Sequence, residues 1–369
     1  IKAYSKEVVM VLEVFHVGEE DSVRVDSNRL RNTVEALFKS AGMPEHDAKI
    51  GTDCLLSADL RGVDSHGVSN MLRVYMQNIN DGVINPAPNW KITNERLSIA
   101  NIDCDRGLGI VIAPQAMEIA IEKAKQSGIG VVTMANGAHA GMVAYHAMLA
   151  LKHDMIGMSM TAAGAQVLPT FGAEPRLGTN PIAIAAPANK ERPFVFDAAT
   201  SSVAVNKINL AKRMNVAIPG GLVAQADGTP ILEESLVPDN YKLLPTGSTR
   251  EQGSHKGYAL ACMVEILCSI MSGSGFGFSN ERGRAQSYVA AYDVSAFTDV
   301  NEFKSTMDEF IKSLRETPPA PGQNEVVIPG HPEFDEEIER GQKGIPLHKE
   351  VIQWFDDICG ELGINSIWK

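Results

Sequence analysis

Apolar residues recur at helical spacing near the start of the chain. Leu30, Val34, Leu37 and Ala41 share one face of a segment that Ser27 can cap and Gly42 can stop. Pro44 suits the first turn of a second helix running to about Leu60, and a third is predicted from near Ser69 to near Gly82. Pro86-Ala87-Pro88 reads as a connector. Further on the pattern changes. Pro114 can open a helix through Gln126 that Gly128 closes. Gly130–Ala135, Ile156–Thr161, Pro181–Ala186 and Phe194–Phe196 are short apolar runs of strand length, with a helical stretch from Ala140 to about Lys152 between the first two. Longer helices are predicted over Lys256–Met271, Val300–Arg315 and Leu347–Leu362, and Thr317–Gly322 is a Pro-rich linker. Short strands alternating with helices predict an α/β protein with helical ends.

The 369 residues, 44% of them hydrophobic, can bury one large core or two smaller ones. A net charge of -12 disfavours nucleic acid and anionic membranes as partners, although a few local cations could still hold a small anion. The apolar run Val8–Phe15 contains Glu13 and is too short for a bilayer, so it reads as an N-terminal strand or extension. The five cysteines, Cys54, Cys104, Cys262, Cys268 and Cys359, are scattered and form no CxxC pair, which favours buried thiols in a reducing, cytoplasmic compartment.

No G-x-G-x-x-G follows a strand, and Walker A, HExxH and GxSxG are absent, which argues against a Rossmann dinucleotide fold. His139, His146 and His153 repeat every seven residues, a spacing unsuited to local chelation, and no metal site is expected.

The segment Arg61-Gly-Val-Asp-Ser-His-Gly67 frames a histidine with small and polar residues at a helix-to-helix corner. Such a histidine either satisfies a loop carbonyl or serves as a proton donor held in one tautomer. RGVDSHGV, FGAEPRLGTNPIAIAAPA, FVFDAATS, HKGYALACMVEIL and VVIPGHPE follow in that order. Together they resemble the malate/L-lactate dehydrogenase family, which also contains ureidoglycolate and sulfolactate dehydrogenases, diketogulonate reductase and a cyclic-imine reductase. The resemblance covers roughly residues 24–365, and SNMLR after the SHG motif looks most like the malate dehydrogenase branch.

The resemblance implies that His66 is the general acid of ketone reduction, with Ser65 and Asp197 as polar neighbours and His139 as a second active-site histidine. Relatives often carry Arg four residues after the SHG histidine. Asn70 stands there in this chain, leaving Arg73, and behind it Arg176, as candidate anchors for a substrate carboxylate. Cofactor contacts carry over to Phe196, Asp197, Ala198, Ala199, Thr200, Ser201 and Ser202, to Lys256 and Gly257, and to Pro329, Gly330 and His331. The cofactor is NAD or NADP, and His331, where relatives have an acidic residue, would tolerate a ribose 2′-phosphate. Ala162-Ala163 also replaces a polar pair common in relatives.

The implied fold is α/β and not Rossmann. A cofactor domain with a largely antiparallel sheet (91–316) joins a discontinuous helical substrate domain (24–90 and 317–369), preceded by an N-terminal extension (1–23). A homodimer is implied as well. The expected reaction interconverts a small 2-hydroxy acid and its 2-oxo acid, foremost (S)-malate and oxaloacetate. Lactate, sulfolactate, ureidoglycolate or a cyclic imino acid are the alternatives within the class, and a catalytically silent binding or structural protein is the alternative outside it.

Overall fold

In the computed structural model, which describes Phe15, residues 18–277 and residues 284–368, strand β1 (Ser22–Val25) leads into three helices. Helix α1 (Ser27–Ser40) buries Leu30, Val34, Leu37 and Phe38. Its cap is Asp26, one residue before the expected Ser27, because the Asp26 carboxylate accepts the Asn28 and Arg29 amides. Helices α2 (Glu45–Leu60) and α3 (Val68–Asn80) follow, joined by the loop that carries the SHG motif.

Seven strands form the main sheet: β2 (Lys91–Glu95), β3 (Ile99–Asp103), β4 (Ile129–Gly137), β5 (Met155–Ala162), β6 (Ile182–Ala186), β7 (Phe194–Ala198) and β10 (Ala285–Asp293). Their order is β2-β3-β4-β10-β5-β6-β7, and only β3 and β4 run parallel. The sheet is therefore largely antiparallel, with no doubly wound crossover. Helix α4 (Gly109–Ser127) packs on it through Ala113, Ala116, Met117 and Ala120. It comes so close that a Cβ on Gly130 would stand 1.8 Å from the Ala120 carbonyl. Helix α5 (Val143–Met148) lies similarly tight against Gly157.

Helix α6 (Val205–Met214) and the short pair β8 (Val223–Ala224) and β9 (Lys242–Leu243) follow β7. Helix α7 (Ser254–Glu265) continues through a π-helical turn, Ile266–Ile270. Beyond β10 come α8 (Val300–Arg315), α9 (His331–Lys343), β11 (Ile345–His348) and α10 (Lys349–Leu362). Strand β11 pairs antiparallel with β1, so both ends of the described chain share a core in which Leu30, Phe38, Tyr75 and Phe355 are fully buried.

Two expectations change, and a third falls almost wholly outside the described residues. Pro114 sits inside α4, which begins five residues earlier at Gly109, where a Cβ would come 2.6 Å from the Ala138 carbonyl. The final predicted helix begins only at Lys349, after strand β11. Of the apolar run Val8–Phe15, only Phe15 lies within the described residues, and it is buried with Val167, Val203 and Ile208. Among the described residues no helix is long and apolar enough to cross a membrane.

Candidate active site

The α2–α3 loop is clamped from several sides. Arg340 of α9 donates to the Asp59 carbonyl (2.7 Å) and pairs with Asp64. Asn70 donates to the Asp64 carbonyl (2.7 Å), so its amide braces the loop. Asn206 of α6 donates to the Ser65 carbonyl (2.6 Å). The buried Asp59 carboxylate caps α3 by accepting the Val68 amide (2.9 Å), and burial lifts its carboxyl to about 8. His66 is thereby held half-buried, its Nδ1 2.8 Å from Ser65 Oγ.

His139 sits in the loop between β4 and α5. Neighbouring His146 fixes that loop by donating from Nε2 to the Ala140 carbonyl (2.7 Å). The His66 and His139 rings stack, centroids 5.6 Å apart and planes 10° off parallel. His139 Nδ1 lies 2.7 Å from the Tyr75 hydroxyl and 3.2 Å from the Gly141 amide. An amide can only donate, and burial keeps the Tyr75 phenol protonated by raising it well above its usual range. Nδ1 therefore accepts, and Nε2 carries the proton. Desolvation lowers His66 to about 4, helped by the nearby Lys207 ammonium. Desolvation and the neighbouring imidazoles lower His139 to about 3. At neutral pH both rings are neutral. One presents an N–H donor, and the other can exchange a proton.

Asp197, at the end of β7, is recessed but reachable by solvent. Its carboxylate accepts the Ala144 amide at the start of α5 (2.8 Å). The surrounding protein lifts it to about 6, an effect that the Ala144 hydrogen bond and Arg61 oppose and Glu333 reinforces. The carboxylate thus braces the helix behind His139 rather than bonding to an imidazole.

Neither predicted carboxylate anchor turns toward the imidazole pair. Arg73 pairs with Glu350 (3.1 Å) and lies over the Trp354 ring, toward the C-terminal helix. Arg176 pairs with Glu174 (2.6 Å) on a half-exposed loop. Three residues at the centre escaped the sequence reading. Tyr75 hides in the apolar stripe of α3, while Asn206 and Lys207 lie on a helix that was not predicted. Among the described residues no three metal-binding side chains cluster.

The three segments expected to hold a dinucleotide form one tract. The Val195 amide meets the Pro329 carbonyl (3.4 Å), and a Cβ on Gly330 would strike the Val195 carbonyl at 2.7 Å, so Pro329–His331 lies against the strand bearing Phe196 and Asp197. At the other end, the Thr246 amide donates to the Thr200 carbonyl (2.9 Å), and Gly257 lies so close to Thr246 that a Cβ would meet its amide nitrogen at 2.6 Å. The hydroxyls of Thr200, Ser201 and Ser202 donate to backbone carbonyls and shape the turn. Along the tract Phe196 and Lys256 are exposed, while buried His331 Nε2 and Glu333 Oε2 have no hydrogen-bond partner. Unpaired buried polar atoms are costly, and a polar ligand would satisfy them. The residues fit an extended dinucleotide.

A sequence model of the malate/L-lactate dehydrogenase family matches residues 25–356. The malate dehydrogenase of Pyrococcus abyssi is 38% identical over 355 residues, spanning 95% of this chain and 98% of that protein. The solved malate dehydrogenase of Pyrococcus horikoshii superposes with a TM-score of 0.87 at 35% identity, covering 95% of this chain and 99% of that one. The sulfolactate dehydrogenase of Methanocaldococcus jannaschii gives 0.84 at 36% identity, covering 93% and 98%. With an antiparallel sheet in place of a Rossmann domain and a stacked imidazole pair beside α3, the chain belongs to the malate/L-lactate dehydrogenase family and is a 2-hydroxy-acid dehydrogenase, a class that works with a nicotinamide cofactor.

Proposed function

We propose that the protein interconverts (S)-malate and oxaloacetate and that His66 moves the proton. The observation that carries this reading is the stacked pair of neutral imidazoles, His66 and His139, behind the SHG loop. The nicotinamide supplies or accepts the hydride. In malate oxidation His66 accepts the hydroxyl proton, and in reduction it returns one to the oxygen. His139 donates from Nε2 to that oxygen, a tautomer set by Tyr75 and Gly141. The names of relatives at 36–38% identity, which span malate and sulfolactate, support this substrate class.

Loss of reduced-nicotinamide absorbance with a panel of 2-oxo acids tests the reading. Oxaloacetate is expected to give the highest kcat/KM, and no turnover with any oxo acid would leave a catalytically silent relative.

NADP is proposed as an accepted cofactor. His331 has no acidic side chain to repel a 2′-phosphate; burial first, then Arg192 and Arg315, which pair with Asp335 and Glu191, depress its pKa. NADPH is expected to support at least comparable kcat/KM to NADH in matched assays; a strong preference for NADH removes the idea. A homodimer is also proposed. Leu260, Ile266, Ile270 and Met271 expose apolar surface on α7 and its π-turn, and a second copy would cover it.

A further inference from the structure

A 2-oxo acid beside the imidazole pair needs a cation, and Arg61, Arg340, Arg73 and Arg176 all carry ion pairs. Arg61 pairs with Glu337 (2.8 Å) and covers the Phe334 ring. Arg340 is held by Asp64 and Glu336. Arg73 and Arg176 pair with carboxylates elsewhere, as above. Lys207 differs. It follows Asn206, whose side chain is bonded to the Ser65 carbonyl, so the start of α6 is tied directly to the loop bearing His66. Its side chain is half-buried, with Nζ 5.7 Å from the centre of the Phe15 ring. Among the described residues its ammonium makes no ion pair and no side-chain hydrogen bond.

We propose that Lys207 anchors the substrate's carboxylate, in the place that an arginine four residues after His66 would otherwise fill. The proposal rests on the 2-oxo-acid reading above. Burial lowers the Lys207 ammonium from its ordinary value, Glu333 and Asp64 oppose that shift without binding it, and Glu333 Oε2 is itself unpaired. The ammonium is partly stripped of water and, among the described residues, has no ion-pair partner, the state in which a charge-assisted hydrogen bond to an entering carboxylate gains most. The same ammonium depresses His66 in the free protein. A carboxylate seated on it offsets that effect and favours proton uptake by His66 as an oxo acid binds.

The test uses Lys207→Met and Lys207→Arg in the full chain. Lys207→Met is expected to raise KM for oxaloacetate roughly ten- to hundredfold. Lys207→Arg is expected to recover most of that loss, while KM for the dinucleotide and the melting temperature stay near wild type. A merely structural role would instead lower melting temperature and weaken both ligands together. Calorimetric binding of oxalate in the presence of cofactor supplies a readout independent of turnover, and Lys207→Met should weaken it by a similar factor. If the wild-type protein turns over no 2-oxo acid, the dehydrogenase reading fails and oxalate binding alone judges Lys207. If the wild-type protein is active and Lys207→Met leaves both the oxaloacetate KM and the oxalate affinity within twofold, the anchor is elsewhere.

Discussion

With His66 moving the proton as proposed, replacing it with alanine is expected to lower kcat for oxaloacetate reduction and malate oxidation by about 10²- to 10⁴-fold, the range general acid–base catalysis supplies. Cofactor affinity is expected to survive, because the proposed dinucleotide tract runs along Val195–Ser202, away from the SHG loop. The pH dependence carries the more specific signature. Desolvation and Lys207 place His66 at about 4 rather than the ordinary 6.5. In malate oxidation the neutral ring is the base, so kcat/KM holds through the mildly acidic range and falls only as the pH drops toward about 4. In reduction the imidazolium is the donor, and the free protein populates it less as pH rises above about 4, so kcat/KM declines with pH. The residual activity of His66→Ala should lack both dependences. Turnover near wild type in that variant would remove His66 from the chemistry. A limb near 6 that survives the substitution belongs to Asp197, whose carboxyl stands at about 6.

How much of this could be read from the chain depends on what each residue's signal is made of. Helix α1 was legible because Leu30, Val34 and Leu37 face one core while the opposite side is solvated, and α8 because Asp299 caps a strongly amphipathic run. Strand β10 was missed because neighbours on both edges and packing on both faces bury Ala285–Ala291 throughout, leaving no alternation to detect. Helix α9 was missed for the opposite reason. Only His331 and Arg340 along it are buried, so its sequence reads as solvated. Pro114 misled because a proline near a helix start usually marks the first turn, whereas here it lies within the helix.

The site divides in the same way. His66 stood out through its motif. The roles of Tyr75 and Asn206 depend on contacts across 64 and 141 residues of chain, to His139 and to the His66 loop, that no local spacing encodes. Arg73 was the reasonable anchor on helical spacing alone. Its rotation toward Glu350 is set by the docking of α10, a tertiary fact.

Gly67→Ala is expected to be the most damaging small substitution near the site, although its backbone does not require glycine. Gly67 has φ −86°, accessible to alanine. The constraint is space, because an added Cβ would stand 1.9 Å from Asp59 Oδ1 and 2.4 Å from its Cγ. Asp59 cannot retreat freely. Its carboxylate is buried, caps the first turn of α3 through Val68, and belongs to a residue whose carbonyl binds Arg340. Pushing it aside leaves the Val68 amide and the carboxylate unsatisfied, about 1–3 kcal/mol. Overpacking adds about 1–3 kcal/mol. Against a total stability of about 5–15 kcal/mol, the loss should lower the melting temperature by roughly 3–8 °C. Because Gly67 follows His66 directly, the imidazole should also leave its stacked position, and kcat should fall at temperatures where the protein is still folded. The double substitution Asp59→Ala/Gly67→Ala isolates the cause. If collision with the carboxylate is the mechanism, adding Gly67→Ala to Asp59→Ala costs much less than it does in the wild-type protein. Equal costs in both backgrounds, or a Gly67→Ala protein with wild-type melting and kcat, would show that the loop has room the geometry denies it.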